Sequence, residues 1–593
     1  MTTTHARRPL RRLTLALVGT IAAALAAVTT VTLPPRATSP PEPAWAPRLP
    51  GTVVRGTVHL HTSRSDGSGS LDEVAAAAAR AGQDFLIVTD HGDGTRAPEP
   101  PAYRRGVLVV DAVEISTEGG HVAALGLPRA PYPLAGDPRG VLEDVHRLGG
   151  FAVATHPDST KRALRWRDWT LPIDGFEWLS ADSEWRDEAW RGLLLAGLHY
   201  LFRPPETIAS VFDRPEALLA GWDAAGATGR RLVGLAGADA HARLGLRGGP
   251  DDGERGSGDG ATGFALEVPS YESVFRAFST RVVLDVPLSG DAERDAPALL
   301  AAVRAGRVFS SIDGLARSGA FEFFAEGTAG ITQMGGTVRA GGAATLHVRA
   351  AAPAGAMLVL LENGRPVARS SGVELAFAVP DDPAPPPRAY RAEVRLPGPR
   401  GSVPVPWIAA NPIFVGVATE LAEAPPVAPR AASVAADLLP AGSLAGWTLE
   451  HDRDSAGELA WDPGAAPPGG LAFTYRLAER GTPTWTALAR RVPDGTADVT
   501  RIGFAGRASS PVRISVQVRQ ADATRDRRWR QSVYLDAEWR DVLLPLEGFR
   551  PVTTSLGATP RGRFDGLLFV IDQVHAAPGA SGTLWLRDVR LER

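Results

Sequence analysis

From Val53 onward, short apolar runs alternate with helix-forming segments. The strand-like runs are VVRGTVHLH, DFLIVTDH, GVLVVDAVEI, HVAALGL, GFAVATHP and RLVGLAGADAH. Between the first two, LDEVAAAAARAG predicts a helix that stops at Gly82. Alternation of this kind implies a parallel sheet, open or closed. Most of the runs begin or end on His, Asp or Glu. Polar chemistry gathered at strand ends favours a barrel with its site at the C-terminal mouth. This pattern covers residues 51–325.

The pattern breaks between residues 166 and 230. That stretch carries Trp166, Trp169, Trp178, Trp185, Trp190 and Trp222 and the helical run EAWRGLLLAGLHYL. It is expected to be a helical insert whose aromatics pack on the barrel, with a lid or pocket wall as the functional alternative. GPDDGERGSGDGAT, residues 249–262, has the composition of a loop. Beyond residue 325 the period falls to two, with Gly/Pro turns. Residues 326–418 are therefore expected to form a small Ig-like β-sandwich ending near NPIFVG. An Ala/Pro linker over 419–440 then leads to a second all-β block, 441–593.

Arg7, Arg8, Arg11 and Arg12 precede an uncharged run from Leu13 to Leu33. A basic flank before such a run marks residues 1–33 as a signal peptide or an N-terminal membrane anchor, at about 1.5 Å per residue just long enough to span a bilayer. PPRATSPPEPAWAPRLP, residues 34–50, reads as a Pro-rich tether that does not pack. By the positive-inside rule the rest of the chain is extracytoplasmic: periplasmic, cell-surface or secreted. The chain has 593 residues, a net charge of -3 and no cysteine. Near-neutrality offers no nucleic-acid scaffold. The lack of cysteine excludes disulfides, thiolate metal sites and a lipoprotein anchor.

Candidate chemistry is concentrated in the first block. Eight of the 12 histidines lie between positions 59 and 241. In His59-Leu60-His61 the two imidazoles share one face of a strand and can grip one ion. Asp66 follows in a Gly-permitted turn. His91, with Asp90 beside it, ends the second strand. Glu114 ends a third, Gly119-Gly120 turns the chain, and His121 begins the next strand close by. A carboxylate so placed can bridge two ions. His156 and the pair Asp239/His241 complete a ring of nine ligands: His59, His61, Asp66, His91, Glu114, His121, His156, Asp239 and His241. Imidazole with carboxylate suits Zn, Mn or Fe. His146 and His199 lack motif context and are expected to be structural. Asp90 is expected to orient a neighbouring ligand.

HLHTSRSDG, VTDHG, VEIS, GHVAALGL, ATHP and GADAH resemble the motifs of the PHP (polymerase and histidinol phosphatase) domain family over roughly residues 52–320. Within it the chain is most similar to the carbaryl-hydrolase group (CehA/McbA-type). The cues are SDGSGS, the close Glu114/His121 pair, AVRAGRVFSS and the β-sandwich that follows. The resemblance implies a distorted (β/α)7 barrel and two or three divalent ions. It puts His59, His61, Glu114 and Asp239 on the first ion. Glu114 would bridge to a second ion completed by His121 and His156. Asp66, His91 and His241 would form a third site, although several trinuclear members carry histidine where this chain has Asp66. The implied chemistry is hydrolysis by a metal-bridging hydroxide, with Glu114 and Asp239 catalytic and Asp239 able to take the nucleophile's proton. Lys161, Arg162, Arg243 and Arg64 are candidates for neutralising a substrate phosphate.

The terminal block is similar to jelly-roll, galactose-binding-like domains of the CBM11/CIA30 type, on LAFTYRL, VRISVQVRQ, RRWRQSVYLDAEWRDVLLPLEGF and GTLWLRDVRL. That likeness implies a cell-surface glycan partner, with Trp447, Trp461, Trp485, Trp529, Trp539 and Trp585 divided between core and any sugar platform. Three functions follow. The first is a phosphoesterase acting on a small phosphate ester. The second is a carboxylester, carbamate or amide hydrolase. The third is a surface-attached binding protein with an inactive barrel.

Overall fold

A computed structural model describes residues 18, 20, 28–43, 45–242, 268–328, 330–339, 341, 343–382, 384–398, 403–417, 433–465, 469–480, 483–492, 498–522, 525–552 and 564–593. Eleven strands build the first block: β1 (Thr52–Leu60), β2 (Phe85–Val88), β3 (Ala102–Arg104), β4 (Val107–Asp111), β5 (Val113–Thr117), β6 (Gly120–Leu125), β7 (Phe151–Ala154), β8 (Gly175–Ser180), β9 (Val233–Ala240), β10 (Ser279–Leu284) and β11 (Val308–Ser311). Pairing is parallel from β7 through β8, β9, β1 and β2 to β4, and antiparallel from β5 through β6 to β7. Because β4 runs into β5 through Ala112, the sheet closes on itself as a barrel. At the mouth the closure is extended by one bridge, His91 to Glu114. Glu114 N–H donates to the Asp90 carbonyl at 3.2 Å, and Gly92 N–H to the Glu114 carbonyl at 3.0 Å.

Both faces of these strands are buried, as expected where helices cover a parallel sheet. Leu86 and Val88 join one apolar cluster, while the alternate residues Phe85 and Ile87 join another. The helix Leu71–Ala81 covers part of the barrel. Ser70 and Glu73 close a capping box at its start, worth about 1 kcal/mol, and Gly82 ends it in the left-handed region.

Several sequence expectations need correction. Residues 175–180, placed within the Trp-rich insert, are barrel strand β8. Trp178 lies on that strand and is buried, as are Trp166 and Trp222. The strand was hidden because both of its faces are covered and its aromatic residues mask the period. The insert proper is the helices Ala181–Asp187, Trp190–Tyr200, Pro204–Ser210 and Glu216–Ala227. The 249–262 segment lies outside the described residues.

The boundary at residue 325 falls inside the strand Phe321–Gly327. That strand pairs with Gly330–Gln333 and Ala344–Ala350, and the latter with Glu374–Val379, to make one sheet. The other strands of the middle block pack against this sheet, with Phe377 and Tyr390 6.1 Å apart across the two layers, and belong to a sheet continuous with the barrel. Ile408–Ala410 pairs with β11 and carries the barrel's sheet onward. The 34–50 segment is not a free tether. Arg48 and Leu49 donate backbone N–H groups to Glu322 at 2.7 and 2.9 Å, and Thr38 bridges Ala316. Proline-rich sequence lacks periodicity, but its free backbone groups still find partners.

The terminal block is two antiparallel six-stranded sheets facing each other across one core. It begins earlier than residue 441, since Val434–Asp437 pairs with Ser581–Glu592. This block is docked on the barrel. Arg513 forks onto Asp144 of the helix Pro138–Arg147, at 2.8 and 2.9 Å, and reaches Glu143 at 3.3 Å. Beside it, Arg147 stacks 3.6 Å over the Tyr534 ring. Both Arg513 and Asp144 are buried. Arg513→Ala should leave the buried Asp144 with Arg147, 3.0 Å away, as its remaining cation and cost up to about 3–5 kcal/mol. Urea denaturation followed at the terminal block checks this, and a loss under 1 kcal/mol, the range of an exposed pair, would show that the contact is superficial.

Candidate metal centre

The nine sequence-selected ligands come together at the barrel mouth. Ligand atoms of His59, His61, Glu114 and Asp239 lie within 4.8 Å of one another; so do those of His61, Asp66, His91 and His241, and those of His91, Glu114 and His121. Strand ends explain the convergence. Val58 of β1 pairs with Gly237 of β9 and Leu60 with Ala240, which brings the two histidines of β1 beside Asp239 and His241.

Glu114 is the centre of the arrangement. Its Oε2 lies 3.4, 3.3 and 3.3 Å from His59 Nε2, His61 Nε2 and His91 Nδ1. Its Oε1 lies 2.9 Å from His156 Nε2 and 3.3 Å from His121 Nδ1, and accepts the Thr155 hydroxyl at 2.6 Å. One carboxylate thus faces two groups of imidazoles. Asp239 Oδ1 sits 3.2 and 3.1 Å from His59 Nε2 and His61 Nε2. Bond lengths of 2.0–2.2 Å to a tetrahedral ion require ligand–ligand edges of roughly 3.3–3.6 Å. The observed edges are close to that, and His59 Nε2, His61 Nε2 and Glu114 Oε2 are buried without a hydrogen-bond partner. Buried imidazole nitrogens and a carboxylate oxygen left without hydrogen bonds and facing one another fit a cation.

The third group is more open. Asp66 is half exposed, and its Oδ2 lies 3.1 Å from His241 Nε2 and 3.6 Å from His91 Nε2. Around these groups, other residues fix ring orientation. His59 Nδ1 meets Glu177 Oε1 at 2.5 Å, leaving Nε2 free for an ion. Glu177 Oε2 also accepts the His156 backbone N–H at 2.7 Å. His156 Nδ1 lies 3.3 Å from the Leu164 carbonyl, and His241 Nδ1 lies 2.9 Å from the Asp239 carbonyl. Asp90 does not touch His91. It accepts from the Thr62 backbone and hydroxyl, the Ser65 hydroxyl and Arg64, and so pins the turn that carries Asp66.

His59, His156 and Asp239 all have positive φ, at 64°, 30° and 43°. Such backbone costs about 1–3 kcal/mol per residue and persists where the surroundings over-determine it. Electrostatics compound the cost. Burial disfavours a charged His59, but Glu177, Glu114 and Asp239 outweigh it and lift its pKa well above the ordinary value. His61 is likewise pushed up to about 10 against its burial, by Asp239 and Glu114. Burial opposes ionisation of Glu114 and Asp239 too, yet the surrounding histidines hold both well below the usual carboxylate range.

The phosphate candidates fare differently. Lys161 and Arg162 are exposed on the loop that carries Leu164. Arg64 is committed to Asp90, Glu99 and Asp111 at 2.9, 2.9 and 3.0 Å, which corrects its reading as a substrate cation. Arg243 lies outside the described residues. Sequence reasoning missed Glu177, on the unrecognised strand β8. One signal was present in Gly237, where an added Cβ would lie 1.9 Å from Glu177 Oε1. It also missed Asp182 and Arg186, an ion pair on the helix leaving β8. Ser180, the last residue of β8, pairs with Gly237 of β9, so Asp182 lies two residues beyond that pair on the following helix and Asp239 two residues beyond it within β9. Burial, then the charge of Asp239, raises the Asp182 pKa. His146 pairs with Asp174 at 2.8 Å, away from the ligand groups.

No family model and no curated protein matches the chain. Among solved structures it is similar to the family 11 carbohydrate-binding module of the cellulosomal cellulase Lic26A-Cel5E of Clostridium thermocellum. Identity is 17%, 27% of this chain and 93% of that one are covered, and the TM-score is 0.21. A family 11 module from Clostridium thermocellum in complex with a β-1,3-1,4-mixed-linked tetrasaccharide is 17% identical over 26% of this chain and 94% of that one, with a TM-score of 0.21. The family 30 module of the Clostridium thermocellum cellulase Cel9D-Cel44B gives 11%, 25%, 90% and 0.20.

Two outcomes are expected of this site. His61 holds its proton up to about pH 10 in the metal-free chain, so an ion must displace that proton at neutral pH. Metal uptake should release protons and weaken as pH falls. Calorimetry in buffers of different ionisation enthalpy checks this; uptake without proton release contradicts it. Glu177→Gln should lower metal affinity about 10–100-fold, read by competition with a fluorescent chelator, and an unchanged affinity removes Glu177 from the site.

Proposed function

We propose that residues 51–325 are a distorted (β/α)7 barrel of the PHP type working outside the cytoplasm as a metal-dependent hydrolase, with phosphoesters as its substrate class. The observation that carries this reading is Glu114, whose two oxygens face two groups of buried imidazoles. His59, His61, Glu114 and Asp239 would hold one divalent ion, and Glu114 with His121 and His156 a second. Asp66, His91 and His241 suit a third. Ions of the Zn, Mn or Fe kind would supply Lewis acidity and lower the pKa of water from about 15.7 toward 7.

The chain's own groups have separate tasks. Thr155 holds Glu114 by its hydroxyl. Glu177 and the Leu164 carbonyl fix the rings of His59 and His156. Asp239 would hold the first ion through Oδ1, which faces His59 and His61, and accept the proton of attacking water through its other oxygen. Asp182, on the helix leaving β8 and with its pKa raised by burial and by Asp239, would donate a proton to the leaving group. Lys161 and Arg162, exposed on their loop, would neutralise the substrate's anionic oxygens. One observation favours a second reading, an ester or carbamate hydrolase: Arg64 is consumed by three carboxylates, so the mouth is less cationic than the sequence suggests. A cell-surface glycan is proposed as the partner of the terminal block. Trp539 and Trp585 have Arg507 stacked on them, and Trp485 is half-buried against Ala487, Ala489, Leu568 and Val570.

The test is turnover by the detergent-purified full chain, stripped and reloaded with Mn, Zn or Fe. The panel holds phosphomonoesters, phosphodiesters, aryl esters and carbamates. Turnover of a phosphoester, abolished by His59→Ala and by Glu114→Ala, is the expected result. Turnover of esters or carbamates alone selects the second reading. No turnover by fully metallated protein sinks both.

A further inference from the structure

The helix Trp190–Tyr200 carries an apolar face outward as well as half-buried leucines inward. Trp190, Leu194, Gly197 and Leu201 recur at i, i+4, i+7 and i+11, which is one face of an α-helix. That face points to solvent: Trp190 is 65% exposed, Leu194 66%, Leu201 75% and the adjoining Phe202 63%. A Cβ added to Gly197 would meet nothing within 4 Å. The inward side holds Ala196 and a histidine, His199, both buried. An ordinary surface helix puts its apolar stripe inward, and a contiguous exposed patch of large apolar residues marks a surface that is covered in use.

The N-terminal run supplies the argument for what covers it. Residues Leu13–Leu33 are uncharged and strongly apolar, and their described end reaches this helix. Thr32 Oγ1 lies 2.9 Å from His199 Nε2. Arg203 donates to the Pro34 carbonyl, and the Ala37 N–H to Glu206 at 3.4 Å. The described end of the run is thus fastened to the inward-facing His199 and to the start of the following helix, Pro204–Ser210, while Val28 and Val31 stay 48% and 86% exposed. The helix also carries a tryptophan capped by a cation, with Arg191 5.3 Å from the Trp190 ring. Amphipathic rings with adjacent cations suit the headgroup level of a bilayer.

We propose that the helix Trp190–Tyr200, with Leu201 and Phe202, lies in the interfacial layer of a phospholipid bilayer as a second membrane contact beside the apolar run Leu13–Leu33. Trp190, Leu194, Leu201 and Phe202 enter the acyl boundary, as the apolar face of an interfacial helix does. The barrel then sits against the membrane and does not swing on a tether. This rests on the anchored, extracytoplasmic reading above and is independent of what the metal centre hydrolyses.

Because the chain has no cysteine, a single substitution gives a unique labelling site. Leu194→Cys and Leu201→Cys, each in the full chain, are labelled with an environment-sensitive fluorophore and reconstituted in phosphatidylcholine vesicles. Glu479→Cys, exposed on the terminal block, is the control. Labels at 194 and 201 should be quenched several-fold more strongly than the control by lipid-borne spin labels and shielded from aqueous iodide. Iodide access equal to the control overturns the proposal. So does shielding from iodide without lipid quenching, the signature of a second copy of the chain on this face. Alkaline extraction of the same vesicles reports the anchor separately: a chain that resists extraction while its label at 194 stays aqueous keeps the anchor and loses the docking. A chain that is extracted and unquenched loses both.

Discussion

One carboxylate organises the barrel mouth. Glu114 is fully buried, and each of its oxygens faces imidazole nitrogens arriving from different strands. Its backbone also makes the bridge to His91 that extends the barrel's closure. A carboxylate buried this deeply is costly unless it is compensated, and here the compensation comes from histidines whose own rings are fixed by Glu177, Leu164 and backbone carbonyls. The positive φ of His59, His156 and Asp239 adds strain on top. A structure that gathers unpaired acceptors, shifted acids and strained backbone at one point is less stable than it need be. Cation binding, as proposed, would offset that cost.

The nine residues that cluster at the mouth were legible in the sequence for a physical reason. Strand ends place side chains predictably, and short motifs such as HLH and DAH carry imidazoles and acids on adjacent turns of extended chain. Glu177 was not legible, because its strand is covered on both faces and lies in tryptophan-rich sequence. Asp182 and Arg186 depend on the same strand and were lost with it. Arg64 shows the converse error. A free cation in sequence became a structural one once Asp90, Glu99 and Asp111 converged on it.

Domain limits were harder to read than the site. Changes in period mark where a fold style changes, not where hydrogen bonds stop. Phe321–Gly327 starts a sheet before the style changes, and Ile408–Ala410 joins the barrel's sheet from far along the chain. The proline-rich 34–50 segment has no period, yet Glu322 holds its backbone. The Arg513 contact likewise depends on surfaces that composition does not reveal. Together these contacts bind barrel, middle block and terminal block into one body, with the apolar insert helix left outward.

The central claim is that Glu114 joins two ions. Electron paramagnetic resonance of the Mn(II)-loaded full chain tests it most directly. Two Mn(II) ions sharing a carboxylate give an exchange-coupled spectrum, and Glu114→Gln should convert it to the spectrum of isolated ions. An isolated-ion spectrum from the fully loaded wild-type chain, or a coupled spectrum that survives Glu114→Gln, would contradict the account.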